Sequence, residues 1–180
     1  GYYLWKPYII KKTMEQMNDN DILFYADAGC ELDKSKSQEL LKIIELVKIH
    51  KILGRINQSN FIEINWTKKD LFVKLNMYSK EYIKSKHREA TILVFLVCNE
   101  TKNLVDEWYN LGCQYHLINN CPSISIQPNL ISKYGGLKEH RHDQSIFSLL
   151  TKKYNLWYEY FWADNLFIQT KRNRTGISQL

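Results

Sequence analysis

Ile22-Leu23-Phe24-Tyr25-Ala26-Asp27-Ala28-Gly29 decides how this chain is organised. The first five residues form a short apolar run, which reads as a buried parallel strand. The run stops at Asp27, and Ala28-Gly29 turns the chain. Upstream, Lys6-Pro7 followed by Tyr8, Ile9, Ile10, Thr13, Met14 and Met17 predicts a helix with proline in its first turn. Asn18-Asp19-Asn20-Asp21 breaks it before the strand begins. Downstream, Ser35 to His50 predicts an amphipathic helix with Leu40, Leu41, Ile44, Leu46 and Val47 on its apolar side.

The alternation continues along the chain. Phe61 to Ile64 reads as a strand. Thr67 is expected to cap a helix reaching Leu75, with Asp70 as a capping-box-like acid. A second helical stretch covers Lys80 to Lys86. Thr91 to Val97 predicts a strand, and Thr101 to Leu117 a helix carrying Leu104, Val105, Trp108, Leu111 and Gly112. From Asn119 to Gly136 the pattern fades into a loop region marked by Pro122, Pro128 and Gly135-Gly136, of the kind that carries function when a rigid scaffold holds it. Asp143 then opens a helix from Gln144 to Lys153, Trp157 to Trp162 is aromatic, and Leu166 to Gln169 suggests a last strand. Interleaved helices and strands define an α/β class. We read residues 1–170 as one domain and 171–180, with Lys171-Arg172-Asn173-Arg174, as a basic tail.

Composition narrows the function classes. The 180 residues are 44% hydrophobic, enough for a core, and the formal net charge is +6. The lysines are scattered over helical segments, which reads as a solvated surface, so no nucleic-acid partner is expected. The longest apolar run, Ala90 to Cys98, is far short of the ~18 residues a membrane span needs, so no span is expected. Cys30, Cys98, Cys113 and Cys121 form no CxxC pair, which argues against a zinc ribbon and suits a reducing, cytoplasmic setting. The aromatic start Tyr2-Tyr3-Leu4-Trp5, with Gly rather than Met at position 1, reads as a cut through a structured domain.

Three constellations could carry chemistry. Asp27 at a strand end points into the crevice where α/β folds bind ligands, and Gly29 lets a ligand approach the backbone. One such carboxylate suffices to start a magnesium- or manganese-diphosphate site, since these ions fill their shell with water and phosphate oxygens. A turn or cap role for Asp27 is the plain alternative. Glu139-His140-Arg141-His142-Asp143-Gln144 crowds polar side chains just before a helix. His140 or His142 could ligate a metal or meet a phosphate, Arg141 could pair with phosphate or carboxylate, and Asp143 could simply be an N-cap. In Trp5-Lys6-Pro7, Lys6 could reach a phosphate, or Trp5 could merely staple a helix start. His87-Arg88 reads as a strand boundary, and His50 and His116 as structural.

Taken together, Gly1-Tyr2-Tyr3-Leu4-Trp5-Lys6-Pro7-Tyr8-Ile9-Ile10, Asp21-Ile22-Leu23-Phe24-Tyr25-Ala26-Asp27-Ala28-Gly29-Cys30, Val105-Asp106-Glu107-Trp108 and Glu139-His140-Arg141-His142-Asp143-Gln144-Ser145 resemble a group of GT-A-type glycosyltransferases found in bacterial surface-polysaccharide clusters and large DNA viruses. The resemblance spans residues 1–155. It implies a GT-A-like, Rossmann-like sheet, mixed but mostly parallel and flanked by helices, lacking its first β-α unit, so that roughly 40–70 residues are expected before Gly1 in the parent protein. It implies transfer from a nucleotide-sugar donor, a UDP-sugar, to a glycan acceptor, with Mn2+ or Mg2+ on the diphosphate. Asp27 matches the DxD-like position, although Tyr25 and Gly29 flank it where a full DxD would place a second acid. In this reading Asp27 and His140 hold the metal, Lys6, Asp27, Ala28, Gly29 and His140 the donor, and Asp143, His142 and Arg141 the chemistry, with Asp143 the candidate base. Trp157 or Trp162 would line the acceptor pocket. A non-catalytic basic module and an inactive transferase remnant are the competing classes.

Overall fold

The computed structural model describes residues 1–55, 61–128, 130, 134–161 and 167–170. In chain order the described elements are α1 (Trp5–Met14), β1 (Ile22–Ala26), β2 (Cys30–Leu32), α2 (Glu39–His50), β3 (Ile52–Arg55), α3 (Glu63–Trp66), α4 (Lys69–Lys74), α5 (Lys80–Ile83), β4 (Ile92–Leu96), α6 (Asn99–Gly112), α7 (Tyr115–Ile118), α8 (His142–Lys153), β5 (Tyr158–Phe161) and β6 (Ile168–Thr170). The main sheet has four strands in the order β1-β4-β3-β5, and β2 pairs with β6 in a separate ribbon.

β4 is the spine of the sheet, and all five of its residues are buried. Its period-2 alternation serves two cores at once. Leu93 and Phe95 join Ile10 and Met14 of α1, Leu104 and Trp108 of α6, and Ile146 and Phe147 of α8. Ile92, Val94 and Leu96 face the other way, onto Ile43 and Val47 of α2. A strand covered on both faces must be apolar throughout, which is why this run stands out in the sequence. Each fully buried Leu, Ile or Phe side chain contributes about 1.5–3 kcal/mol.

The chain is thus α/β with helices flanking a mixed sheet, as expected, but the sheet is mostly antiparallel where a mostly parallel, Rossmann-like one was expected. β1 and β3 both run antiparallel to β4, and only β3 and β5 are parallel. β1 is an edge strand with Phe24 exposed, not a buried parallel strand. Backbone bonds bracket its antiparallel ladder: Asn20 N–H donates to Val97 O and Asp27 N–H to Thr91 O.

Other expectations also change. Phe61 to Ile64 is not a strand. Ile62 makes an isolated bridge to Lys86, and Glu63 starts the helical turn α3. Thr67 does not cap α4, because its hydroxyl donates to Glu63 at 2.6 Å. Asp70 instead accepts the backbone N–H of Ser125 at 2.8 Å and of Ile124 at 3.1 Å, tying down the following loop. The helix expected from Ser35 begins at Glu39, after a 3-10 turn at Lys34–Lys36 capped by Asp33, and Leu41 lies 68% exposed. The Trp157 ring lies where a Cβ on Gly54 would sit, 1.8 Å from its nearest ring atom, so Trp157 packs on β3 against the core. Trp162 and the basic stretch from Lys171 lie outside the described residues. Among the described residues no helix is long and apolar enough to cross a membrane, and all four cysteines are free.

Candidate functional site

α1 and α8 converge on the C-terminal end of β1. The convergence begins in the core. Trp108 of α6, fully buried, donates its indole N–H to the carbonyl of Asp143 at 2.8 Å and so fixes the first turn of α8. The preceding loop is stitched to α3: Lys138 N–H donates to Asn65 O, Arg141 N–H to Trp66 O, and the Ser145 hydroxyl to Trp66 O at 2.6 Å. This stitching explains why the segment at Glu63 is helical, since it presents two successive carbonyls to the loop.

Lys6, Asp27 and Asp143 meet there. Lys6 Nζ donates to Ala90 O at 2.9 Å and stands 3.2 Å from Asp27 Oδ1 and 3.6 Å from Asp143 Oδ2. A buried ammonium is tolerated only with such compensation. Asp27 Oδ1 also accepts the Tyr25 hydroxyl at 2.8 Å, two residues back on the same strand. Burial and this bond to Asp27 raise the Tyr25 hydroxyl far above the usual range, so it remains a donor. Asp143 Oδ2 is buried and accepts no hydrogen bond among the described residues. Burial pushes the Asp143 carboxyl up to about 7, against the pull of Lys6 and with a further push from Asp27.

Lys6, Asp27 and Asp143 line a cavity of about 430 Å³, with Tyr25 behind Asp27. Asp27, Ala28 and Gly29 form one side of it, and Arg141, His142, Asp143 and Gln144 another. Residues some 110 positions apart are therefore neighbours, and Tyr3, Trp5, Thr91 and Glu139 complete the wall. Asp143 is not the N-cap of α8. Arg141 holds that position without a side-chain cap bond, and Asp143 lies inside the first turn. Arg141 pairs with Glu139 at 3.2 Å and lies over the Trp66 ring at 4.6 Å. His142 adopts φ +50, a conformation rare for a non-glycine residue. Its Nδ1 lies 2.8 Å from Ile118 O and donates its proton to that carbonyl.

His140 departs from its expected place. It is absent from this cavity wall, and both ring nitrogens are engaged: Nδ1 accepts Lys68 N–H at 3.3 Å and Nε2 donates to Leu117 O at 2.9 Å. Burial depresses its pKa to about 4, so it is a neutral structural side chain. The structure therefore does not bring His140 together with Asp27, the residue with which it was expected to share a metal. Among the described residues no three His, Cys, Asp or Glu side chains gather as a metal cluster.

Sequence reasoning passed over Tyr3, Tyr25 and Gln144 as individual site residues, and read Trp5 only as a staple, although Trp5 is 54% exposed at the cavity wall. The spacing Tyr25-x-Asp27, two residues on one face of a strand, was the available signal for the hydroxyl–carboxylate pair. No protein-family model, curated protein or solved structure matches the chain.

Proposed function

We propose that the protein transfers a sugar from a nucleoside-diphosphate donor, a UDP-sugar, to a hydroxyl of a glycan acceptor. The observation that carries this reading is Lys6, held between Asp27 and Asp143 in one cavity with Arg141 and His142. The motif resemblance supplies the reaction class, and the GT-A assignment rests on it alone.

Departure of a nucleoside diphosphate concentrates negative charge on its oxygens, and cationic side chains fixed in advance stabilise that charge. Lys6 and Arg141 are the cations at the cavity, and Arg141 suits bidentate phosphate pairing. Asp143, with a carboxyl near 7, is matched to take the proton of an attacking hydroxyl at neutral pH. Lys6 lies close enough to stabilise the carboxylate form.

The chain's donor set fits a hard divalent ion sparingly. With His140 outside the cavity wall, Asp27 is the candidate ligand, with Glu139 and Asp143 on the same wall, and Lys6 already brings positive charge to it. Mn2+ or Mg2+ on Asp27 would draw its remaining ligands from water and diphosphate and would neutralise the leaving group.

Calorimetric titration with UDP, with and without Mn2+, tests the reading against titration with an oligonucleotide at two salt concentrations. Saturable UDP binding abolished by Asp27→Ala is expected. Salt-sensitive oligonucleotide binding without UDP binding would replace the transferase with the basic binding module.

A further inference from the structure

Behind the cavity, a second group of polar side chains is sealed in the core. Glu63, fully buried on α3, receives the Ser148 hydroxyl and the Lys152 ammonium at Oε1, and the Thr67 hydroxyl at Oε2. Burial opposes charge on Glu63, but its partners, Lys152 foremost, outweigh it and hold the carboxyl below its usual range. His87, 2% exposed, presents Nε2 to Glu63 Oε2 at 3.8 Å and Nδ1 to Gln144 Nε2 at 3.3 Å. Gln144 belongs to the cavity wall.

The polarity of this chain follows from its anionic end. A neutral imidazole has one N–H and one lone pair. A lone pair on Nε2 would face a carboxylate, which is repulsive, so the proton belongs on Nε2. Nδ1 is then an acceptor, and only the NH2 end of Gln144 can satisfy it. Desolvation holds His87 neutral, with its pKa lowered to about 4, so this arrangement persists across the ordinary pH range.

We infer that His87, oriented by Glu63, is a positioning residue that locks the Gln144 amide with its NH2 inward and its carbonyl oxygen toward the cavity, where it accepts a hydrogen bond from a hydroxyl of the donor's sugar. The sugar assignment rests on the transferase reading. The amide orientation does not. A free glutamine amide rotates and accepts or donates with equal ease. One fixed by an imidazole discriminates, because a ligand lacking the matching hydroxyl covers the half-buried acceptor and leaves it unpaired.

Two measurements test this. Long-range 1H–15N correlation spectra of the full chain report the His87 tautomer directly. The Nε2–H form is expected, and the Nδ1–H form would overturn the inference whatever the protein binds. Calorimetry with UDP and with a panel of UDP-hexoses then gives the affinity that the sugar adds. His87→Leu should remove about five- to tenfold of that increment while leaving UDP affinity unchanged, and Gln144→Leu should remove the same increment. His87→Asn, which keeps an acceptor near the Nδ1 position, should restore most of it, an outcome that a merely structural role would not produce. An increment equal in wild type and Gln144→Leu would refute the hydroxyl contact. Absence of binding by UDP and every UDP-hexose to the wild type would overturn the transferase reading and the sugar assignment together, while the tautomer still decides the amide orientation.

Discussion

Asp143→Asn separates function from stability at one atom. In the folded protein the Asp143 carboxyl is pushed up to about 7 from an ordinary 3.8. A group whose folded pKa is raised favours the folded state while protonated. Its contribution is full below about pH 4, declines as the pH rises toward 7, and is level above. Three pKa units correspond to about 4 kcal/mol of penalty for holding the carboxylate at pH 8. Asparagine keeps the shape and removes the charge. The attraction to Lys6 at 3.6 Å is already contained in that value, and relaxation and water entry around a buried charge reduce such a penalty, so we expect about half of that ceiling, a gain of about 2 kcal/mol at pH 8. For a domain of 180 residues this reads as a rise of roughly 4–8 °C in Tm. The assay is a pair of thermal melts across pH 4.5–8, with turnover measured on the same samples. The two proteins should converge toward pH 4, separate progressively between pH 4 and 7, and keep a constant gap above neutrality. Turnover should fall about 100-fold or more, the usual cost of removing a general base. A variant less stable than wild type at pH 8, or curves that diverge toward acid, would refute the argument for a strained carboxylate.

Further perturbations bear on the same arrangement. Lys6→Met leaves two carboxylates facing each other without their cation, and should cost about 3–5 kcal/mol in urea denaturation at pH 8 while raising the Asp143 pKa, readable by carboxyl NMR. Gly54→Ala places a methyl 1.8 Å from the Trp157 ring, so the ring or β3 must shift, with an expected loss of about 1–3 kcal/mol and a changed tryptophan emission. Trp108→Phe strands the buried Asp143 carbonyl and should cost about 1–3 kcal/mol, with faster amide exchange confined to the first turn of α8.

How much of this was legible depended on which interactions set each feature. β4 and α6 were readable because burial on two faces, or along one stripe, writes itself into residue order. The direction of β1 was not, because an apolar run carries no information about the partner that will pair with it. Phe61 to Ile64 misled because so short a stretch is decided by tertiary bonds, here those of Glu63 and the 138–145 loop. At the site, Asp27 and the 141–143 segment were found by their chemistry, and the fold brings them to one cavity. His140 looked equivalent to His142 in sequence, yet one ring is sealed between backbone groups and the other lines the cavity, a difference made by packing alone. The same holds for His87, which read as a boundary residue and is buried against Glu63.

The most direct test of the central claim is release of nucleoside diphosphate from a panel of nucleotide sugars, with Mn2+ and a glycan acceptor present, by wild type and by Asp27→Asn. The account predicts release from at least one UDP-sugar, stimulated by acceptor, and its loss in Asp27→Asn with the melting curve retained. Release by Asp27→Asn equal to that of wild type, or no release from any donor by a folded wild-type protein, would contradict it.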